Sequence, residues 1–427
     1  MHEVQAPSFR GDVIGGITTF LTMSYIVVVN PSILATPETG LPFDGVLAAT
    51  VLVAAAMSAL MGLYANLPFG VAPGMGLNAF LAYTVIIQQG VSWPIALGCV
   101  FWAGILFLIL SATRLREAIA TAIPASLRLG AAAGIGLLLT FIGLRNAGLI
   151  TADATTIVRA GTLDHRAALV LIGLVVAVWL TRRGNPLAFV TSIGTVAVLA
   201  WALGYTSPPS QLVSLPNFRS TMLALDPIGA LQWALVPTMV TIALTDLFDS
   251  LSTFMGVATV SRLVDDQGQP LNLRRGLIVD AWATLFAGLA GSSPGTAYVE
   301  SVAGIRMGAR TGRAALVTAA CFLPCFFLAP LVGTVPAFAT SAVLLTVGVT
   351  MFQSVTQIDF ERLEVAIPAF AALILIPLTL SITQGLLWGF VLHALLHVAT
   401  GRARDLSPTV WMLTAVSAGL LLLEQTR

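Results

Sequence analysis

Two stretches decide the fold: Gly70-Val-Ala-Pro-Gly-Met-Gly-Leu-Asn-Ala-Phe80 and Gly291-Ser-Ser-Pro-Gly-Thr-Ala-Tyr-Val-Glu-Ser301. Each interrupts a series of apolar segments with a Pro-Gly pair, Pro73-Gly74 or Pro294-Gly295, and each then places a polar residue, Asn78 or Glu300. Inside a bilayer, a broken helix is tolerated only where its freed backbone groups face protein or a water-filled cavity. A matched pair of breaks, one in each half of a chain, points to the binding site of a secondary transporter.

The rest of the chain fits that reading. Hydrophobic residues make up 57% of it and charged residues 9%, with a mean hydropathy of +0.94. Soluble domains carry roughly 25% charged residues, so a soluble fold is excluded. Crossing a ~30 Å hydrocarbon core takes about 17 to 25 apolar residues. Such stretches fall at 13–34, 44–64, 68–88, 93–113, 129–149, 166–181, 186–205, 230–258, 275–291, 294–308, 313–335, 339–353, 363–381, 384–400 and 407–423. The count is fourteen or fifteen, because the turn at Ser381-Ile-Thr-Gln-Gly385 either divides two short helices or kinks one. No cleavable signal peptide is expected, since Met1 to Arg10 is polar and the first apolar run is long and rich in Thr.

The chain has no lysine, and its 20 basic residues are all arginine. A cytoplasmic N-terminus puts Arg10, Arg114, Arg116, Arg128, Arg182, Arg183, Arg262, Arg274, Arg275, Arg306, Arg310, Arg313, Arg362, Arg402 and Arg404 on the inner side. Arg145, Arg159, Arg166, Arg219 and Arg427 then fall outside, an asymmetry that favours this orientation under the positive-inside rule. Segments 150–165 and 206–229 become exposed outer loops. The net charge of +1 is therefore a matter of topology and does not suggest nucleic acid as a partner.

Enzyme chemistry finds no footing. Cys99, Cys321 and Cys325 lie in apolar runs and read as small hydrophobes. The i, i+4 pairs Cys321/Cys325 and His393/His397 lack the further ligands that zinc needs. No metal or cofactor is expected.

Acids inside apolar segments are functional candidates because they are costly there. Asp246 and Asp249, in Val240-Thr-Ile-Ala-Leu-Thr-Asp-Leu-Phe-Asp-Ser-Leu-Ser-Thr-Phe-Met-Gly256, share one helical face by their i, i+3 spacing. If a half-helix begins near Pro294, Glu300 falls in its second turn, close to N–H groups that favour negative charge. Asp280 suits a packing role with Arg274 or Arg275. Glu117, Asp359, Glu361 and Glu364 sit near segment ends and read as solvated surface. Asn78 lines the polar site, caps the first half-helix or binds neighbouring backbone.

Several runs together carry a specific resemblance: Phe9-Arg-Gly-Asp-Val-Ile-Gly-Gly-Ile-Thr-Thr-Phe-Leu-Thr-Met-Ser-Tyr-Ile-Val-Val-Val-Asn-Pro31, Ala72-Pro-Gly-Met-Gly-Leu-Asn-Ala-Phe80, Asp246-Leu-Phe-Asp-Ser250, Thr296-Ala-Tyr-Val-Glu-Ser301 and Arg310-Thr-Gly-Arg313. From about residue 9 to 400 the chain resembles the AzgA-like branch of the nucleobase-cation-symport-2 family, which carries adenine, guanine and hypoxanthine, typically with protons. The resemblance implies an all-α polytopic membrane protein of fourteen segments in two inverted seven-segment repeats, with interrupted third and tenth segments. An odd number of crossings per repeat inverts the second half, in agreement with the two matched breaks. It also implies a core domain (9–113 and 228–335) that moves against a gate domain (114–206 and 336–423), a homodimer, and a multi-pass location in the inner (plasma) membrane.

By the same resemblance, Asp249 and Glu300 match the substrate-binding acids and Asn78 the polar residue of the third segment. Thr296, Tyr298, Phe248 and Thr19 join the expected substrate site, with Thr18 and Tyr25 as further wall residues; Asp249, Glu300 or Asp246 carries the coupling proton. The chain departs from the family at Ser252-Thr253 and at Gly291-Ser-Ser-Pro-Gly-Thr296, next to the pocket, which leaves the ranking of purines open. A uracil or xanthine symporter is the main alternative, and an anion transporter of the same fold a more distant one.

Overall fold

The computed structural model describes residues 8–113, 124–153, 155–261, 263 and 270–425. Arg114, Arg116, Glu117, Arg262 and Arg427 lie outside the described residues.

The first half begins with α1 (Phe9–Met23), capped by the Ser8 hydroxyl, and α2 (Ile26–Leu34), which together make one crossing. Helix α3 (Phe43–Leu60) follows and runs on to Ala65. The first break then gives β1 (Val71–Pro73) and the half-helix α4 (Met75–Ala79), whose helical path continues to Gln88. Next come α5 (Trp93–Ala112), α6 (Ala125–Asn146), the antiparallel hairpin β2 (Ile150–Asp153) and β3 (Ile157–Ala160), α7 (His165–Arg182) and α8 (Ala188–Ala202).

The second half repeats the plan. It runs α9 (Val236–Ser261), α10 (Leu273–Ala290), β4 (Gly295–Ala297), the half-helix α11 (Ser301–Arg306), α12 (Gly312–Phe322), α13 (Ala329–Gly333), α14 (Ser341–Phe352), α15 (Leu363–Thr379) and α16 (Ile382–Ala399). A last helix, α17 (Pro408–Gln425), follows. The turn at 381 divides two helices: Leu380 adopts a left-handed φ of 52°, and the Ser381 hydroxyl caps the next helix by accepting from the Gln384 N–H.

Segment 206–229 is largely exposed, as expected, and is also tied to the bundle: the Ser214 N–H reaches the Phe327 carbonyl, the Asp226 N–H the Pro94 carbonyl, and the Trp102 indole the Pro227 carbonyl. One feature differs from the sequence expectation. The second break forms a strand before it forms a helix. Helix α11 therefore starts at Ser301 and leaves Glu300 at its N-terminal cap, not in its second turn.

The helices sort into two packed groups. Helices α1, α3, α5, α9, α10 and α12 pack among themselves with β1, β4 and α11, while α6, α7, α8, α14, α15 and α16 pack together. Small residues permit the closest approaches. A Cβ on Gly304 of α11 would stand 2.3 Å from the Gly15 carbonyl of α1, and one on Gly104 of α5 would stand 2.4 Å from the Leu285 nitrogen of α10.

The chain's path sets which ends share a side. Asn66 bonds the Gly312 N–H, Arg274 bonds the Ala112 carbonyl, and Glu364 pairs with Arg362 at 3.0 Å and with Arg402, all at one arginine-rich end. Asp12 of the Phe9–Pro31 run gathers the Arg310 N–H at 2.8 Å, the Thr311 N–H at 3.0 Å and the Thr311 hydroxyl at the same end. Two runs nearly 300 residues apart in sequence thus meet. Helix α17 leaves this end after Arg404 and reaches the other, where Leu420 borders a cavity with Gln89 and Gln232.

Candidate functional site

The two breaks lie side by side. Strands β1 and β4 pair antiparallel with Val71 opposite Ala297, Ala72 opposite Thr296 and Pro73 opposite Gly295. The Gly74 N–H continues the ladder to the Pro294 carbonyl at 2.8 Å, and Tyr298 N–H to Gly70 at 2.9 Å. Backbone groups freed by each Pro-Gly pair are thus satisfied by the other break, as burial in an apolar medium demands. Gly291, at a φ of 96° where a side chain would strain, turns the chain out of α10 toward β4. The Tyr298 hydroxyl donates to the Pro73 carbonyl and ties the two breaks again.

A cavity of about 100 Å³ opens in front of this ladder. Asp249 and Thr253 of α9, Thr296 and Tyr298 of the second break, and Glu300 line it from one side, together with Tyr25 and the Gly74–Gly76 turn. Val347 and Met351 of α14 close it from the second helix group. Asp249 and Glu300 are half-buried, and no cation is among the lining residues.

Tyr25 bridges the two groups of helices. Its hydroxyl donates to Glu300 Oε1 at 2.7 Å, while its ring stands edge-on to Phe189 of α8 with centroids 5.1 Å apart. A charge-assisted hydrogen bond of this kind fixes the carboxylate and leaves its second oxygen for a ligand. The site can therefore offer two carboxylates to N–H donors, hydroxyls from Thr253 and Thr296, and an apolar wall for a flat face.

Of the expected site residues, Glu300, Asp249, Thr296 and Tyr298 come together at the cavity. Four others do not line it. Asn78 is fully buried behind the break and donates to Asn30 Oδ1 at 2.9 Å. Asn30 in turn bonds Thr50, Ser292 and Ser293, so these amides lock the broken segments to one another. Phe248 follows the α9 curve into the hydrophobic core. Thr19 is buried against Gly304, where a Cβ would stand 2.1 Å from its hydroxyl oxygen. Asp246 turns from the cavity toward α10 and accepts the Thr284 hydroxyl. Three residues along a helix leave about 60° of rotation, enough to send Asp246 and Asp249 to different neighbours.

Thr18 is spent on the Ile14 carbonyl of its own helix. Asp280 does not pair with Arg274 or Arg275; its Oδ2 accepts the Ala297 N–H at 3.1 Å and holds β4 in place. Arg274 bonds the Ala112 carbonyl and Arg275 stacks on the Tyr64 ring. His393 and His397 stack on each other at 4.1 Å, buried in the bundle. Sequence reasoning missed Val347 and Met351, because an apolar pair in an apolar helix gives no signal.

Comparison with known proteins agrees with the fold and the motifs. The Permease family profile Xan_ur_permease matches residues 10–387. The chain is 38% identical to the adenine permease AdeP of Escherichia coli over 94% of its own length and 90% of the relative's. It is 37% identical to the guanine/hypoxanthine permease PbuO of Bacillus subtilis over 95% of both chains. Among solved structures, the transmembrane domain of the cyanobacterial bicarbonate transporter BicA superposes with a TM-score of 0.65 at 16% identity, covering 89% of this chain and 97% of that one. That fold has fourteen segments in two inverted repeats with core and gate parts. The chain is a multi-pass membrane transporter and belongs to this permease family, the nucleobase transporter family that its motifs resemble.

Proposed function

We propose that the chain imports purine nucleobases, adenine, guanine and hypoxanthine, by proton symport across the inner membrane, with its N-terminus in the cytoplasm. One observation carries the reading: Asp249 and Glu300 face a single cavity between two packed groups of helices. A neutral purine presents N–H donors at its edge, and a carboxylate is a strong acceptor for them. Charge-assisted bonds of this type contribute about 1.5–3 kcal/mol each. Thr296 and Thr253 complete the polar edge, Tyr298 and Met351 pack the faces of the ring, and Asn78 acts indirectly by holding the first break.

The core (9–113 and 228–335) rocks against the gate (114–206 and 336–423), exposing the cavity to each side in turn. Tyr25, bonded to Glu300 on one side and packed on Phe189 on the other, sits where occupancy is felt by the gate. A proton enters with the base because two acids in an apolar site are costly to leave charged. Anion transport, the activity of the bicarbonate transporter BicA that shares this fold, fits poorly with two carboxylates and no cation around the cavity. A homodimer through the gate is part of the proposal. Competition decides the substrate: unlabelled adenine and hypoxanthine block uptake of labelled adenine in transport-deficient cells, whereas a block by uracil instead contradicts the purine reading, and a block by xanthine instead contradicts the choice of adenine, guanine and hypoxanthine among purines.

A further inference from the structure

A second and larger cavity lies at the end of the molecule opposite the arginine-rich one, about 710 Å³ against about 100 Å³ for the cavity at Asp249 and Glu300. Its size falls within the roughly 300–1,000 Å³ of small-molecule sites. Three helices begin at its edge: α5 after Ser92, α9 after the short turn Trp233–Leu235, and α16 with Thr383 in its first turn. First-turn N–H groups have no partner inside their own helix and are donors in search of an acceptor.

The polar lining consists of amides and hydroxyls alone, from Gln89, Ser92, Gln232, Thr238 and Thr383. No charged side chain is among the lining residues in the described part of the chain. Asp226, whose N–H bonds the Pro94 carbonyl, spends its carboxylate on the Gly229 N–H. Thr383 gives the sharpest signal: it is 4% exposed, and its buried hydroxyl has no hydrogen-bond partner. An unpaired buried hydroxyl is costly, and a ligand that bonds it removes the cost. Trp233, by contrast, is 92% exposed at the same cavity, a flat aromatic face with little packing of its own.

These features select the ligand. A charged group, a lipid phosphate or ammonium included, finds no opposite charge in the lining. A carboxamide offers a donor beside an acceptor, the pattern that pairs with the amino group and ring nitrogen of adenine, and an aromatic face stacks on any base. The cavity also lies on the way to the acids. Thr238 and Asp249 stand about three turns apart on α9, which brings them to the same helical face about 16 Å from each other. The helical path of the first break runs from the Gly74–Gly76 turn at one cavity to Gln88, beside Gln89, at the other. Between them the Thr84 hydroxyl donates to the carbonyl of Leu380, the residue before the α16 cap, and joins the two helix groups.

We propose that this cavity is a second nucleobase site, a vestibule that captures one neutral purine by stacking on Trp233 and bonding Gln89, Gln232 and Thr383, then passes it to Asp249 and Glu300 when the Thr84–Leu380 bond opens. The inference rests on reading the chain as a nucleobase carrier. In the proposed orientation the vestibule faces the outside, where the base arrives.

The test is equilibrium binding of labelled adenine to the full-length purified protein in lipid nanodiscs. Wild type is expected to bind two adenines per chain and the double variant Glu300→Gln/Asp249→Asn one. Adding Trp233→Ala or Thr383→Val to that double variant is expected to weaken the remaining site about 10-fold, with melting temperature unchanged from the double variant. One adenine in wild type and none in the double variant overturns the vestibule and leaves the purine reading standing, as does residual binding that neither added substitution weakens. Phospholipid that co-purifies with wild type and is lost in Trp233→Ala and Thr383→Val, at an unchanged adenine count, overturns it in favour of a lipid. No adenine bound by well-folded wild type removes the purine reading itself and the vestibule with it. In cells, Trp233→Ala is expected to raise KM for adenine uptake about 10-fold at matched abundance; an unchanged KM overturns the passage from one site to the other.

Discussion

Glu300 shows how one side chain joins sequence, structure and transport. It is an acid in an apolar run, which made it readable, and the β4 strand places it at the cap of α11, with Tyr25 on one of its oxygens. Tyr25→Phe removes that donor while keeping the ring on Phe189. It is expected to raise KM for the purine about 10-fold, the effect of losing one hydrogen bond to a charged group, with protein abundance unchanged; unaltered uptake kinetics would remove Tyr25 from the site. Asp249 was legible for the same reason as Glu300. Asn78 and Asp246 were legible as buried polar residues but not in their direction, because a few tens of degrees around a helix decide which neighbour a side chain meets. Met351→Ala, at a position that sequence could not mark, is expected to weaken binding by about 1–3 kcal/mol through lost packing, read as a raised KM at constant abundance.

At the scale of elements, helices could be read from the chain because apolar length and caps such as Ser381 are local signals. The β1–β4 ladder could not, since three-residue strands have no pattern of their own and their partners lie more than 200 residues apart. What the sequence did carry was the pair of Pro-Gly breaks that makes the ladder necessary. The Asp12 contacts and the close glycine contacts give two predictions here. Asp12→Ala frees three donors of the Arg310–Thr311 turn and is expected to cost about 3 kcal/mol or more, seen as a lower melting temperature in detergent. Gly304→Val forces α11 from α1, where the Gly15 carbonyl leaves no room for a Cβ, and overpacking of this kind costs about 1–3 kcal/mol. Wild-type melting in either variant would contradict the packing described.

For the whole molecule, the proposed orientation rests on the arginines, and its parity on whether α17 crosses. If α17 crosses as a fifteenth segment, the two termini lie on opposite faces, so with the N-terminus inside, a reporter fused after residue 427 is expected to be active only outside the cytoplasm. A cytoplasmic signal from that fusion would mean that 408–425 does not cross. The two halves match in their breaks, and the cavity lies where the broken segments meet the second helix group. In the proposed function, that placement lets the cavity open to each side in turn. The most direct measurement is uptake of labelled adenine and hypoxanthine by purine-transport-deficient cells expressing the chain, with and without a protonophore, beside Glu300→Gln and Asp249→Asn at matched membrane abundance. The account predicts protonophore-sensitive purine uptake that is lost in both variants; purine uptake absent from well-folded wild-type protein, or undiminished in the two variants, would contradict it.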